Sequence, residues 1–330
     1  MPPLVIAGDA LARGIMSNFV DTYAVRREHI AERMKGVVEL GVSTDILVPR
    51  FGYPESAPMP SYSPWGEPGK SRSFRYRTFD GYNWRFTTNV RWLRYQRTMN
   101  QLDDIYKNAA RCQERWLDQD DLIITDILRE TASVGGLPIT LTAADGVGIF
   151  SATDGDGAAR FGVTGGNTVA GHVFTSPIGL QDAVFAGISR AQSFLDTQSQ
   201  PLHPRITDVT IFIPPAFRQN AVIAFDGAFS PTGTSTSTSQ SAISNPFQSG
   251  DLRYTVIADS RFTETTRIVI AINDYDEAPI KQTVVLAPEE TFYDKANSYT
   301  HGRAGLEEMM FESWKGFTLG LPLNLVEVTT

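Results

Sequence analysis

Residues 101–130 read QLDDIYKNAARCQERWLDQDDLIITDILRE, and their apolar positions fall at 102, 105, 106, 109, 110, 116, 117, 123, 124, 127 and 128. A spacing of three and four throughout is the signature of one amphipathic helix. With Gly135-Gly136 as its stop, it predicts a rod of about 45 Å at 1.5 Å per residue. A helix that long spans a whole domain, so the rest of the chain has to be arranged around it. Its stripe of Tyr106, Trp116 and Ile123 is expected to face a core, and Cys112, on the same helix, to sit as a small buried hydrophobe.

Upstream, FRYRTFDGYNWRF (74–86) alternates arginines and rings around Asp80-Gly81. From Arg72 to Trp92 the period is two, which means strands, and Asp-Gly is a strong two-residue turn signal. A hairpin there would face Phe79 with Tyr82, Arg77 with Trp84 and Arg75 with Phe86, and on the other face Tyr76 with Arg85. Such pairs place cations on rings across strands without any nucleic acid. The other register is one long strand with Gly81 as a bulge. Residues 49–70 hold six prolines together with Gly52, Gly66 and Gly69, so no regular element is expected there. A loop of that length is expected to have a job. Residues 9–35 read as a helical arm with Asp9 as its N-cap.

Downstream, 143–171 is rich in Gly, Asp and Thr and reads as an extended loop region. LQDAVFAGISRAQSFLD (180–196) is a second amphipathic helix. ITDVTIFIPPAFRQNAVIAF (206–225) is a buried strand ending at Ile213, followed by a helix opened at Pro214-Pro215. SPTGTSTSTSQSAIS (230–244) is low-complexity and expected as a surface loop. LRYTVIAD, TRIVIAIND and KQTVVLA are three strands, the last two expected as a hairpin, and ESWKGFTLGLP a closing strand. The order of elements gives an α+β protein.

The chain has 330 residues, 42% hydrophobic and 20% charged, enough for a folded core. Its net charge of −8 argues against tight nucleic-acid binding by the whole chain, since phosphate needs clustered cations. One cysteine leaves no intrachain disulfide and no cysteine-rich metal site. No signal peptide and no membrane span is read, which places folding in a cytoplasm. Asp154, Asp156 and Gly157 hint at a calcium loop, but its twelfth position would be Gly165, not a carboxylate. No phosphate-binding glycine motif, GxSxG or HExxH occurs. His29, His172, His203 and His301 show no partner spacing and are expected as isolated surface or loop residues. Asp103-Asp104, Asp120-Asp121 and Glu307-Glu308 are expected on solvated helix faces. No catalytic residue, metal site or cofactor is therefore assigned, and the chain is read as no enzyme.

Four segments together resemble the tailed-phage major capsid proteins, more narrowly the phage Mu-type major head subunit. RTFDGYNWRF (77–86) resembles the returning strand of that family's extended loop, and residues 99–130 its spine helix. Residues 206–225 resemble its strand running into a Pro-bearing helix start. NPFQSGDLRYTVIADSRFTETTRIVIAIND (245–274) resembles the two strands that follow. The resemblance implies an N-terminal arm (1–45), an extended loop (46–95), a peripheral domain with the spine helix (96–175), an axial domain (176–305) and a C-terminal strand returning to the peripheral domain (306–330). It implies a subunit forming hexamers and pentamers of an icosahedral shell around double-stranded DNA, assembled in a host cytoplasm and residing in the virion. Its implied partners are further copies, a portal protein at one vertex, a decoration protein, and DNA held only non-specifically. The spine starts near residue 100, leaving room for arm and loop only, so a separate scaffolding protein is expected. Intersubunit contacts are expected at Trp65, Arg75, Arg77, Trp84, Arg85 and Trp92, residue types enriched at interface anchors, with 46–95 adding little to its own subunit's core. The alternatives are an encapsulin-like compartment of the same fold, an enzyme, or a single-stranded nucleic-acid binder using the aromatic hairpin as a stacking platform.

Overall fold

The computed structural model describes residues 8–43, 50–56, 75–80, 83–98, 102–130, 142–196, 199–226, 229–230, 243–244, 252–274, 277–293 and 298–330. Its elements are α1 (Gly8–Arg33), β1 (Val38–Ser43), β2 (Arg50–Ser56), β3 (Arg75–Asp80), β4 (Trp84–Leu93), α2 (Arg94–Thr98), α3 (Leu102–Leu128), β5 (Thr168–Val169), α4 (Pro177–Gln192) and β6 (Asp208–Ile213). Then come α5 (Arg218–Ala221), β7 (Phe229–Ser230), β8 (Ile243–Ser244), β9 (Arg253–Ala258), β10 (Arg267–Ile272), β11 (Ile280–Tyr293), α6 (Tyr299–Ala304), β12 (Leu306–Leu319) and β13 (Leu325–Thr329).

Two sheets organise the chain. The first has the order β1-β11-β12-β4 and the second β5-β13-β10-β6-β9. In the first, β11 and β12 form a long antiparallel pair from Ile280↔Leu319 to Tyr293↔Glu308. At about 3.3 Å per residue its 14-residue strands run about 46 Å, close to the roughly 40 Å of the 27-residue α3. The helix expected from the sequence is thus present, with Asp103 and Asp104 in its first turn, where carboxylates suit the helix dipole.

The second sheet is buried on both faces, and the period-two rule shows how. Along β10, Ile268, Ile270 and Ile272 face one core while Val269 and Ala271 face another. The first core also takes Ile105, Trp116, Ile123 and Ile127 of α3, Met309 and Phe311 of β12, and Ile15, Ile30 and Met34 around α1. The second is closed by α4 through Leu180, Val184 and Ile188. Ser176 caps α4, its Oγ accepting from Gly179 N at 3.1 Å, and Pro177 needs no donor there. Close approach of α4 to the sheet requires Gly187, because a Cβ would lie 2.3 Å from Ile270 Cδ1 and 3.1 Å from Val328 Cγ2.

Several expectations need correction. β3 pairs with β2 (Phe51↔Phe79, Tyr53↔Arg77), and β4 with β12 (Val90↔Met309, Arg85↔Trp314), so the Asp80-Gly81 hairpin and its facing pairs do not form. A strand, β2, exists within the Pro-rich stretch; its ladder is irregular between Pro54 and Ser56, where proline offers no donor. β10 and β11 lie in different sheets and are not a hairpin. Asp9 lies inside α1 rather than capping it. Tyr106 is 43% exposed, whereas Trp116 and Ile123 are buried. Cys112 is half-buried, packed against the first core. Gly135-Gly136, Trp65 and the tip of the 230–244 segment lie outside the described residues.

Candidate functional site

β2 and β3 pair with each other and with no third strand among the described residues. Their contact with the first sheet includes Lys281, whose Nζ stands 5.6 Å from the Phe51 ring centroid. A two-stranded ribbon standing alone is marginal in water. Arg75 and Arg77 are on its second strand. It leads through Asn83 into β4, one of the two outer strands of the first sheet among the described residues.

β4 divides its side chains between the core and an ionic outer face. Phe86, Val90 and Trp92 are buried in the chain's own first core. Trp92 is 4% exposed, donates from Nε1 to Glu307 Oε2 at 2.8 Å and stacks on Phe292 at 6.1 Å. The expectation that 46–95 adds little to its own core therefore fails at these three residues. Trp84 is half-buried against the same core. Arg85 is exposed and bonded to Glu312, which also accepts from Trp314 Nε1 at 2.8 Å. The Arg85 hydrogen bond holds the Glu312 carboxyl below its ordinary range. Arg91 Nε meets Glu308 at 3.0 Å. Burial pushes Glu308 up, but bonds from His301, Asn89 and Arg91 outweigh it and leave its pKa lowered.

The main departure from sequence reasoning is a buried ionic joint between α3 and the sheets. Asp120 and Asp121 are 5% and 3% exposed, not solvated. Asp120 holds the Lys315 ammonium of β12 and accepts from Gln282 Nε2 of β11 at 2.8 Å. The same ammonium lies 4.9 Å from the Phe86 ring and 5.3 Å from Trp116. Asp121 receives Arg33 at 3.0 Å and Arg261 at 2.6 Å, and Arg33 also reaches Asp259. Arg129 grips Glu264 through Nη2 at 2.7 Å, a bond that lowers the carboxyl's pKa. Glu327, paired with Arg267 at 2.9 Å, is pushed up by burial all the same. One signal for Asp120 was available: it follows Trp116 by four residues and so shares the apolar face of α3. Glu307 and Glu308 are buried on a strand, not on a helix.

The 143–171 region is largely irregular, as expected, and is pinned from within. Arg160, 1% exposed, forks onto Asp145 at 2.8 and 2.9 Å and donates to the Gly148 and Ile149 carbonyls. Burial lowers its pKa, opposed by Asp145. Asp154 Oδ1 accepts from Asp156 N and Ala158 N, closing a local turn. His203 is buried, with Nε2 donating to the Leu323 carbonyl at 2.7 Å and its pKa lowered by burial. His301 bridges Ser298 and Glu308 and stacks on Tyr293. Neither is an isolated surface residue. Among the described residues no three His, Cys, Asp or Glu gather as a metal site, and no helix is long and apolar enough to cross a membrane.

The sequence matches no protein-family model and no curated protein. The fold is similar to the capsid of Ralstonia phage GP4, with a TM-score of 0.53 at 8% identity over 91% of this chain and 88% of that one. The mature capsid of bacteriophage PhiM1 gives 0.47 at 10% identity (89% and 85% covered), and a virus-like particle from Pyrococcus furiosus 0.43 at 9% (88% and 89%). The chain thus has the α+β fold of a tailed-phage capsid subunit.

Proposed function

We propose that this chain is the repeating subunit of an icosahedral viral shell, assembling as hexamers and pentamers around double-stranded DNA. The observation that carries the reading is the β2–β3 ribbon, a pair of strands with no third among the described residues, attached to a capsid fold. In a shell, a neighbouring copy would supply further surface for the ribbon beyond its contact with Lys281. On this reading Arg75, Arg77, Trp84, Arg85 and Trp65 serve that contact, while Trp92 anchors the base of the ribbon from within.

The division proposed for the chain is arm 1–45, extended loop 46–95, peripheral domain 96–175, axial domain 176–305 and returning strand 306–330. The first sheet draws β1, β4, β11 and β12 from four of those spans, so the long helix rests on strands from along the whole chain. The narrower likeness to Mu-type head subunits rests on the order of segments. A separate scaffolding protein, a portal at one vertex, a decoration protein and residence in the virion after assembly in a host cytoplasm belong to the same proposal. The net charge of −8 suits a container that encloses DNA without gripping it.

Replacing residues 52–78 with a short Gly-Ser linker tests the reading. The variant is expected to keep its far-UV spectrum and to lose sedimenting assemblies. Assemblies of normal size from that variant would refute the role given to the ribbon.

A further inference from the structure

β4 is ten residues long and, among the described residues, is paired on one side only, by β12. Beside its open edge lies a cleft of about 690 Å3 between the strand and α3, lined by Thr87, Thr88, Asn89, Arg115, Gln119 and Leu122 among others. An uncovered edge strand is a template for another strand, and natural proteins normally cover or blunt it. Here the side chains of Thr87, Thr88, Arg115 and Gln119 make no hydrogen bond or ion pair among the described residues. The other charges of the cleft are matched: Asp118 by Arg26 at 3.0 Å, and Arg261 by Asp121 at 2.6 Å. Among the described residues, Arg115, which is exposed, is left as the uncompensated charge.

We propose that this cleft binds an extended acidic peptide of a separate polypeptide, which adds a strand to the free edge of β4 and places a carboxylate on Arg115. Strand addition takes its affinity from main-chain hydrogen bonds and its specificity from alternate side chains. In this cleft the main-chain bonds would run along β4. Thr87, Thr88 and Gln119 would receive polar groups, and Leu122 would pack against an apolar one. A second copy of this chain is the poorer occupant on charge. Its three undescribed stretches longer than ten residues, 57–74, 131–141 and 231–242, hold one acidic residue between them, Glu67, against Lys70 and Arg72.

Cys112 supplies the reporter, since it is the only cysteine of the chain, lines the cleft and stands 4.0 Å from the Asn89 carbonyl. The full chain is mixed with a short peptide alternating Val with Thr and Glu, and the rate of Cys112 alkylation is measured. At a free peptide concentration of about ten Kd the rate is expected to fall about tenfold. The same peptide with Lys for Glu, or with a central Pro, is expected to leave the rate unchanged. Arg115→Glu should reverse the preference toward the Lys peptide, and Arg115→Gln should abolish it. The proposal is overturned if Glu and Lys peptides protect equally, if neither protects, or if protection without peptide grows with protein concentration, which would make a second copy the occupant. None of these readouts depends on shells forming, so failure here is distinguishable from failure of the shell reading.

Discussion

Asp120→Asn removes one charge from the joint between the long helix and the first sheet while leaving its shape unchanged. The Lys315 side chain is 2% exposed, so its ammonium would lose its counter-ion in a place water does not reach. Breaking a buried pair from one side costs about 3–5 kcal/mol. The Phe86 and Trp116 rings, 4.9 and 5.3 Å from the ammonium, offset about 1–2 kcal/mol through cation–π attraction, which puts the expected loss near the lower end. For 330 residues the unfolding entropy is about 0.7 kcal/mol/K, so a loss of about 3 kcal/mol lowers Tm by about 4 °C. Scanning calorimetry and urea unfolding of the dissociated chain would read it. The double variant Asp120→Asn with Lys315→Met removes both charges at similar volume and is expected to return to within about 1 kcal/mol of the parent, since such replacements are often neutral or stabilising. A single variant that loses less than about 1 kcal/mol, or a double variant no better than the single, would show that the pair does not hold the helix.

Three further outcomes are expected. Arg160→Ala strips a fork from Asp145, leaves the Gly148 carbonyl without its donor and the Ile149 carbonyl with Asn167 alone, so limited proteolysis should cut within 142–171 in the variant and not in the parent; identical digestion patterns would contradict this. Glu264 has its pKa lowered by the Arg129 hydrogen bond, so its stabilising contribution is present above the carboxylate's unfolded pKa and is lost as pH falls through the folded one. Glu264→Gln should therefore flatten the acid side of the stability–pH curve, and an unchanged slope would count against that assignment. A short epitope inserted after Ser237, in a low-complexity stretch whose one large apolar residue is Ile243, should leave assemblies intact, and loss of particles on sedimentation would refute it.

The long helix was legible because a three-and-four spacing over some thirty residues admits little else. The strands of the second sheet were legible as individual apolar runs, as in DVTIFI and RIVIAI. Pairing was not. Asp80-Gly81 signals a tight turn locally, but β4 finds a longer partner in β12, 215 residues away at Trp92 and Glu307, and such long-range choices leave no local trace. The same limit hid the hairpin of β11 with β12, whose strands are separated by α6. Charged residues misled for a related reason. Asp120, Glu307 and Lys315 look like surface residues one at a time and become buried only because each meets a partner or a ring from a distant segment. Of the expected contact residues, Arg85 is exposed and Trp92 is core; both are equally attractive as anchors when read from sequence, because the strand period does not say which face a neighbour will cover.

The most direct test of the shell reading is electron microscopy of the purified full chain, in negative stain and across a range of protein concentrations and salt. Closed shells, tubes, or rings with five- or six-fold symmetry are expected. Particles the size of a single 36.4 kDa chain under every condition would contradict it.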